Sequence, residues 1–254
     1  MSPNIWTECG AASSLRALSA RPWRAVEAQH VSATRKLVDT DAEQAVLEDL
    51  IDLAKPPRPR EPEFAGLHYL LATPFRYPPL RHGSRFASRS ERGLYYGSES
   101  KQALFSEVAY YRLLFLDGTS AELGAVEVEL SVFAVPVRTR RGVDLTRSPF
   151  REHEDRISAP GDYAASQRLG SEMRASGVEA FRYRSARDRD GGTNVGVFSP
   201  RAFESKRPRA LETWRSVATR GRVEFSKKDF FRKAGFAFER SEFEVRGSLP
   251  APAP

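Results

Sequence analysis

Two arginines and two tyrosines lie close together in the segment FRYPPLRHGSRFASRSERGLYYGSES, namely Arg76, Arg85, Tyr95 and Tyr96. A guanidinium binds phosphate oxygens through two parallel hydrogen bonds, and a tyrosine ring offers a flat face for stacking and a hydroxyl donor. This combination suits a ligand with both phosphates and flat rings, such as a dinucleotide. The alternative is that the arginines lie in solvated turns and the tyrosines pack in the core.

A single carboxylate stands out in the next segment, SKQALFSEVAYYRLLF, which predicts a helix beginning near Ser100. Glu107 falls on or beside the apolar face of this helix, where an unpaired charge is costly unless it faces a cleft. In a cleft the carboxylate can stabilise the oxocarbenium-like state through which an N-glycosidic bond is cleaved. The alternative is a surface glutamate paired with Arg112 or Lys101.

A polar loop separates two predicted strands in FRYRSARDRDGGTNVGVF. Ser185 ends the first strand and Asn194 opens the second. A serine at such a position can donate a hydrogen bond to a ribose hydroxyl or hold a carboxylate in place. The alternative is an ordinary turn-forming serine, which is the commoner case.

Together, these three segments resemble the RES family, named for its Arg, Glu and Ser. GSRF followed by RGLYYGS is similar to the family's arginine and tyrosine element, ALFSEVAYYR to its glutamate helix, and RYRSARD with GGTNVGVF to its serine element. The resemblance covers roughly residues 66 to 203. It implies that the catalytic residues are Arg85, Tyr95, Glu107 and Ser185, and that NAD is bound by Arg76, Tyr96 and Asn194. The spacing leaves open whether Tyr95 or Tyr96 is the site tyrosine.

The resemblance implies a toxin of a bacterial toxin–antitoxin pair that splits NAD at the nicotinamide–ribose bond, with water or phosphate as the acceptor. In this activity Arg85 and Arg76 hold the pyrophosphate and Tyr95 stacks on or orients the nicotinamide. Glu107 stabilises the ribosyl cation, and Ser185 positions the glutamate or the ribose. NAD is the substrate, and no cofactor or metal is expected.

The expected partner is an Xre-like helix-turn-helix antitoxin that covers the active site, so DNA is expected to be contacted only through the antitoxin. Whether the chain forms a homo-oligomer is left open.

Two other functions are alternatives. One is an ADP-ribosyltransferase that modifies a protein or nucleic acid, because the fold does not determine the acceptor. The other is a basic nucleic-acid-binding module, suggested by the formal charge of +7, although the arginines are spread along the chain.

The elements that must position these residues predict an α+β fold. The resemblance makes it an ADP-ribosyltransferase-like split antiparallel or mixed sheet with flanking helices. The expected division is a helical extension over residues 1–60, a RES domain over 61–247 and a disordered tail over 248–254.

Local patterns predict the individual helices and strands. Residues 12 to 54 read as two helical pieces, the second with a Thr40–Glu43 capping box. A further helix is predicted from Asp162 to Gly177. The clearest predicted strand alternates apolar residues over 126–132, and others are EAFRYR, NVGVF, RVEFS and GFAFERSEFEVRG.

Composition narrows the class of protein. Cys9 is the only cysteine, which excludes an intrachain disulfide, and the four histidines are scattered without the spacing of zinc ligands. No run is long and apolar enough for a spanning helix, and the first residues lack the pattern of a signal peptide. The sequence therefore predicts a cytoplasmic protein without a structural metal or a membrane contact.

Overall fold

A computed structural model describes residues 4–28, 38–57, 59–77, 79, 81–229 and 234–252. The strands of these residues form one mixed sheet in the order β1-β5-β6-β7-β3-β2-β4-β8-β9-β10. The β5–β6 pair is parallel and the other pairs are antiparallel. The strands are β1 Arg16–Ala20, β2 Trp23–Glu27, β3 Tyr95–Ser98, β4 Val126–Ala134, β5 Val137–Asp144, β6 Ala180–Arg184, β7 Thr193–Val197, β8 Arg209–Ala218, β9 Arg222–Lys227 and β10 Gly235–Glu239.

The α-helices flank this sheet, and local signals explain where several of them begin and end. They are α1 Ile5–Glu8, α2 Asp41–Ala54, α3 Tyr69–Arg76, α4 Lys101–Asp117, α5 Glu154–Ile157 and α6 Ala164–Ala175. Before α2, Thr40 and Glu43 exchange hydrogen bonds as the predicted capping box. Ser100 caps α4 by accepting the N–H of Ala103 at 3.1 Å. The predicted α+β class is confirmed.

The two faces of the sheet carry different hydrophobic clusters because side chains alternate along each strand. Helix α4 packs with β4, β8, β9 and β10 in one cluster, which includes Leu130, Trp214 and Phe225. On the opposite face, α3 packs against Tyr95 and Phe133. Neighbouring residues of one strand therefore face opposite clusters, a fact that decides the role of Tyr95 and Tyr96 below.

The helical prediction for residues 12–28 is wrong. These residues form a short 3-10 turn at Ala11–Ser14, followed by β1 and β2. Strand β2 lies inside the sheet, between β3 and β4, so that backbone pairing in three dimensions overrides the helical propensity of Arg24, Ala25 and Glu27. The predicted boundary at residue 60 therefore separates strands of one sheet. The rest of that helical piece, residues 29–37, lies outside the described residues.

The C-terminal residues also differ from the prediction of a disordered tail. Leu249 is only 7% exposed and belongs to the cluster around α4. The Tyr110 hydroxyl donates a hydrogen bond to the carbonyl of Pro250. Residues 248–252 are therefore packed against the molecule, whereas residues 253–254 lie outside the described part.

No helix of the described residues is both long enough and apolar enough to cross a membrane.

Candidate functional site

A cavity of about 580 Å³ opens between α4 and the strands β2, β3 and β7. Helix α4 contributes one wall, the strands form the floor, and the segment before β3 closes one side. The lining residues are Arg24, Ala25, Glu27, Ser84, Arg85, Tyr96, Gly97, Ser98, Leu104, Glu107, Val108, Tyr111, Arg112, Phe115, Tyr183 and Asn194. The volume falls within the range of pockets that enclose small molecules.

Glu107 is held at this cavity by two neutral donors. Ser185 Oγ donates to Glu107 Oε1 at 2.6 Å, and Asn194 Nδ2 donates to the same oxygen at 2.7 Å. Within the described part of the chain, the other carboxylate oxygen accepts no hydrogen bond, and no basic side chain pairs with the group. Lys101 instead pairs with Glu212 at 2.6 Å and Arg112 with Glu27 at 2.7 Å. The alternative of a surface glutamate paired with Lys101 or Arg112 is therefore wrong.

The two donors are themselves fixed by buried groups. Ser98 Oγ donates to Asn194 Oδ1 at 2.6 Å, which orients the amide so that its nitrogen faces Glu107. Ser185 Oγ accepts the backbone N–H groups of Arg187 and Asp188, each at 3.1 Å, so that its own proton points toward the carboxylate. Ser185 lies behind Glu107 and does not line the cavity. The chain of hydrogen bonds leaves Glu107 one orientation.

Arg85 approaches the cavity from the segment before β3. Its Nη1 donates to the carbonyls of Ala159 at 2.8 Å and Ile157 at 3.4 Å, and its guanidinium carbon lies 4.5 Å from the centre of the Tyr163 ring. These carbonyls occupy one edge of the fork, and the side chain is only 9% exposed. Arg85 is thus a largely buried cation with one side facing the cavity.

The structure places Tyr96, and not Tyr95, at the cavity. The Tyr96 hydroxyl accepts the N–H of Phe86 at 3.0 Å and lies 3.0 Å from Ser84 Oγ, so it holds the segment that carries Arg85. Burial raises the pKa of Tyr96 to about 12, which keeps the phenol neutral near pH 7. Tyr95 points to the opposite face, where it is fully buried and its ring packs edge-on against Phe203 at 5.2 Å.

Arg76 also lies away from the cavity, because α3 packs on the opposite face of the sheet from α4. Its Nε donates to the carbonyl of Pro56.

Arg24 of β2 also borders the cavity, but its guanidinium lies on the face that meets α3, 5.1 Å from the Tyr95 ring, where Nη1 donates to the carbonyl of Tyr96 at 2.7 Å. The other guanidinium that lines the cavity from the side of α4 is that of Arg112, which is paired with Glu27. Sequence reasoning assigned WRAVE to a helix, and because its apolar residues do not alternate, no local pattern identified it as a strand of the cavity.

The mouth of the cavity is apolar and aromatic. Tyr111 and Phe115 of α4 are 49% and 62% exposed there, beside the Arg112–Glu27 ion pair. Such a surface can stack a flat ring, while the Arg85 guanidinium inside can bind anionic oxygens.

Among the residues that the structure describes, no group of three or more His, Cys, Asp or Glu side chains is placed to hold a metal ion. The site therefore combines one cation suited to a phosphate group, Arg85, with one carboxylate, Glu107, that no cation neutralises in the described chain.

Comparison with known proteins identifies the family. The model of the RES domain matches residues 58–218, more than half of the chain, and this span includes Arg85, Glu107, Ser185 and Asn194. None of the curated proteins matches the chain. The family span begins after β2, so Ala25 and Glu27 of β2 line the same cavity from outside that span. The chain belongs to the RES-domain family.

Proposed function

We propose that this protein cleaves the nicotinamide–ribose bond of NAD and acts as the toxin of a bacterial toxin–antitoxin pair. Membership of the RES-domain family is consistent with an NAD-related enzyme of this kind. The observation that carries the proposal is Glu107, a carboxylate at a cavity wall that is held by Ser185 and Asn194 and paired with no cation in the described chain. Such a charge is available to a cation that develops in the substrate.

The reaction places its positive charge where Glu107 can act. As the bond between the ribose C1′ and the nicotinamide nitrogen breaks, the electron pair returns to the ring nitrogen and nicotinamide leaves as a neutral molecule. The ribose is left as an oxocarbenium-like cation, which a fixed carboxylate stabilises without reorganisation. Water then adds to C1′ and releases a proton to solvent. If phosphate adds instead, the product is ADP-ribose phosphate.

The Arg85 guanidinium is proposed to bind the pyrophosphate. It lines the cavity, and its Nη1 donates to the carbonyls of Ala159 and Ile157, so its position is set before the ligand arrives. Tyr96 takes the role expected of Tyr95, because only its ring faces the cavity. Arg76 has no part in this scheme, because it lies on the opposite face of the sheet.

The partner in this proposal is an Xre-like helix-turn-helix antitoxin that closes the cavity. The exposed Tyr111 and Phe115 at the mouth offer an apolar surface for such a contact. DNA is then contacted through the antitoxin, and the protein acts in the cytoplasm, where it depletes NAD.

The test is nicotinamide release from NAD by the purified protein, compared with Glu107→Gln. The glutamine keeps an oxygen that accepts from Ser185 and Asn194 but carries no charge, so we expect kcat to fall by about 10²–10³-fold while the fold is retained. Glu122→Gln, at an exposed glutamate outside the cavity, is the matched control and should keep wild-type activity. Growth inhibition in cells should follow the same order.

NAD labelled in the adenosine part separates the acceptors. Free ADP-ribose indicates water, ADP-ribose phosphate indicates phosphate, and label on a macromolecule indicates an ADP-ribosyltransferase. An intact NAD pool with folded protein and no antitoxin present would contradict the proposal. Full activity of Glu107→Gln would remove the carboxylate from it.

A further inference from the structure

We infer that the C-terminal residues 248–252 hold both Arg85 and Glu107 in position, so that this segment is part of the support of the cavity. The inference depends on the proposed function only where its test measures NAD cleavage. The segment touches two structures at once: helix α4, which carries Glu107, and the loop of residues 157–163, which carries the carbonyls bound by Arg85. Neither contact involves the cavity lining itself.

The first contact is with the loop that holds Arg85. Pro250 packs against Gly161 so closely that a Cβ built on Gly161 would lie 3.3 Å from Pro250 Cβ and 3.4 Å from the carbonyl oxygen of Ala251. The same loop presents the Ala159 carbonyl to Arg85 at 2.8 Å. It also presents the Tyr163 ring, which lies against the Arg85 guanidinium. Without residues 248–252, the loop of residues 157–163 would lose its packing contact with Pro250.

The second contact leads to Glu107. The Tyr110 hydroxyl donates to the Pro250 carbonyl, and the Tyr110 ring lies 3.4 Å from the guanidinium carbon of Arg187. Burial raises the pKa of Tyr110 to about 12, so the hydroxyl remains a donor near neutral pH. The backbone of Arg187 donates to Ser185 Oγ, which donates to Glu107.

Arg187 joins the two contacts. Its Nη2 donates to the Pro160 carbonyl at 2.5 Å, and its own carbonyl accepts from Ser106 Oγ at 2.5 Å. Arg187 therefore contacts the loop of residues 157–163, the loop that contains Ser185, and helix α4. Leu249, which is 7% exposed within the α4 cluster, anchors the segment that covers this junction.

The experiment uses two variants of the full protein. One ends at Ser248, and the other is Tyr110→Phe, which removes only the hydroxyl and keeps the ring on Arg187. Tyr69→Phe, at a half-exposed tyrosine of α3 on the opposite face of the sheet, is the matched control. Loss of one hydrogen bond to the support should raise KM for NAD by about 2- to 10-fold in Tyr110→Phe, and by more in the shortened chain.

KM distinguishes positioning from simple destabilisation. Partial unfolding lowers the active fraction, and hence apparent kcat, but leaves KM of the remaining enzyme unchanged, whereas a displaced Arg85 weakens NAD binding. Hydrogen exchange provides a readout that does not depend on NAD. The amides of Arg187 and Asp188 and those of residues 157–163 should exchange faster in both variants and not in Tyr69→Phe.

The outcomes separate the two proposals. Unchanged KM and unchanged exchange in Tyr110→Phe overturn the inference, whether or not the shortened chain folds. If the wild-type protein releases no nicotinamide, the proposed function fails, and the exchange rates alone decide the role of the segment. Faster exchange at both loops, with the control unaffected, supports it.

Discussion

Glu107 differs from the other glutamate around the cavity in how its charge is held. Glu27, which also lines the cavity, is paired with Arg112 at 2.7 Å, and its charge is neutralised by that cation. Glu107 accepts hydrogen bonds from a hydroxyl and an amide, which fix its direction without cancelling its charge. A preorganised charge of this kind stabilises a developing cation at little cost in reorganisation.

The two adjacent tyrosines make a matched pair for mutation. Tyr96→Phe removes the hydroxyl that accepts the Phe86 N–H, and an unsatisfied buried donor should lower the free energy of unfolding by about 1–3 kcal/mol. Tyr95 Oη is buried and has no hydrogen-bond partner in the described part of the chain. Tyr95→Phe should therefore leave stability unchanged or raise it by up to about 1 kcal/mol.

Denaturant unfolding and NAD cleavage measured on both variants test this contrast. We expect Tyr96→Phe to lose activity as well, because the Ser84–Phe86 segment carries Arg85, and Tyr95→Phe to retain it. Loss of activity in Tyr95→Phe with normal Tyr96→Phe would show that the phenol facing the core, and not the one facing the cavity, serves the reaction.

At the scale of elements, strand β3 explains why the sequence left the site tyrosine open. Tyr95 and Tyr96 project to opposite faces, and only the pairing of β3 with β7 and β2 shows which face meets α4. The same limit concealed strand β2, which was read as a helix. Elements with their own local signals were predicted well: the capping box of Thr40 and Glu43 before α2, and the alternating apolar residues of β4.

Contacts distant in sequence could be predicted only through the family resemblance. The Ser185–Glu107 hydrogen bond joins residues 78 positions apart, and no local pattern specifies it. The packed C-terminal segment was missed for a related reason: its prolines and alanines have a disordered composition, but the single Leu249 finds a place in the cluster around α4. Burial in three dimensions decided both cases.

Helix α6 approaches the segment of Arg85 through a glycine, which gives a prediction for an element contact. A Cβ built on Gly170 would lie 2.2 Å from the Phe86 carbonyl oxygen and 2.8 Å from its carbon, so backbone must move. Gly170→Ala should lower the free energy of unfolding by about 1–3 kcal/mol, as overpacking does, and should raise KM for NAD by displacing Arg85.

Gly118→Ala is the control for this variant. Gly118 ends α4 with a helical backbone, and its Cβ would meet ordinary contacts at 3.5 Å and beyond. Alanine there should be neutral or stabilise by about 0.4–1 kcal/mol. Thermal unfolding of both variants, followed by NAD kinetics, checks the prediction; equal behaviour of the two would contradict the close approach of α6.

For the whole molecule, the sheet crosses the boundary that the sequence suggested and extends beyond the span of the family match. Strand β2 pairs with β4 along its full length, from Trp23 opposite Ala134 to Glu27 opposite Leu130, and touches β3 at Ser98. Strands β9 and β10 lie beyond residue 218, where the family match ends. The sheet is therefore larger than the span of the family match.

A chain of residues 61–254 should for this reason fail to fold. It lacks β2 and so exposes the unpaired edges of β3 and β4 in the middle of the sheet, and such edges promote aggregation. A matched control replaces residues 39–54, within and just before α2, with a glycine–serine linker of equal length. Val46, Leu50 and Leu53 of this helix are 59%, 57% and 81% exposed, so their removal should leave a cooperative thermal transition. Cooperative unfolding of the 61–254 chain at a temperature near that of the full protein would mean that β2 is an accessory strand and that the cavity can form without it.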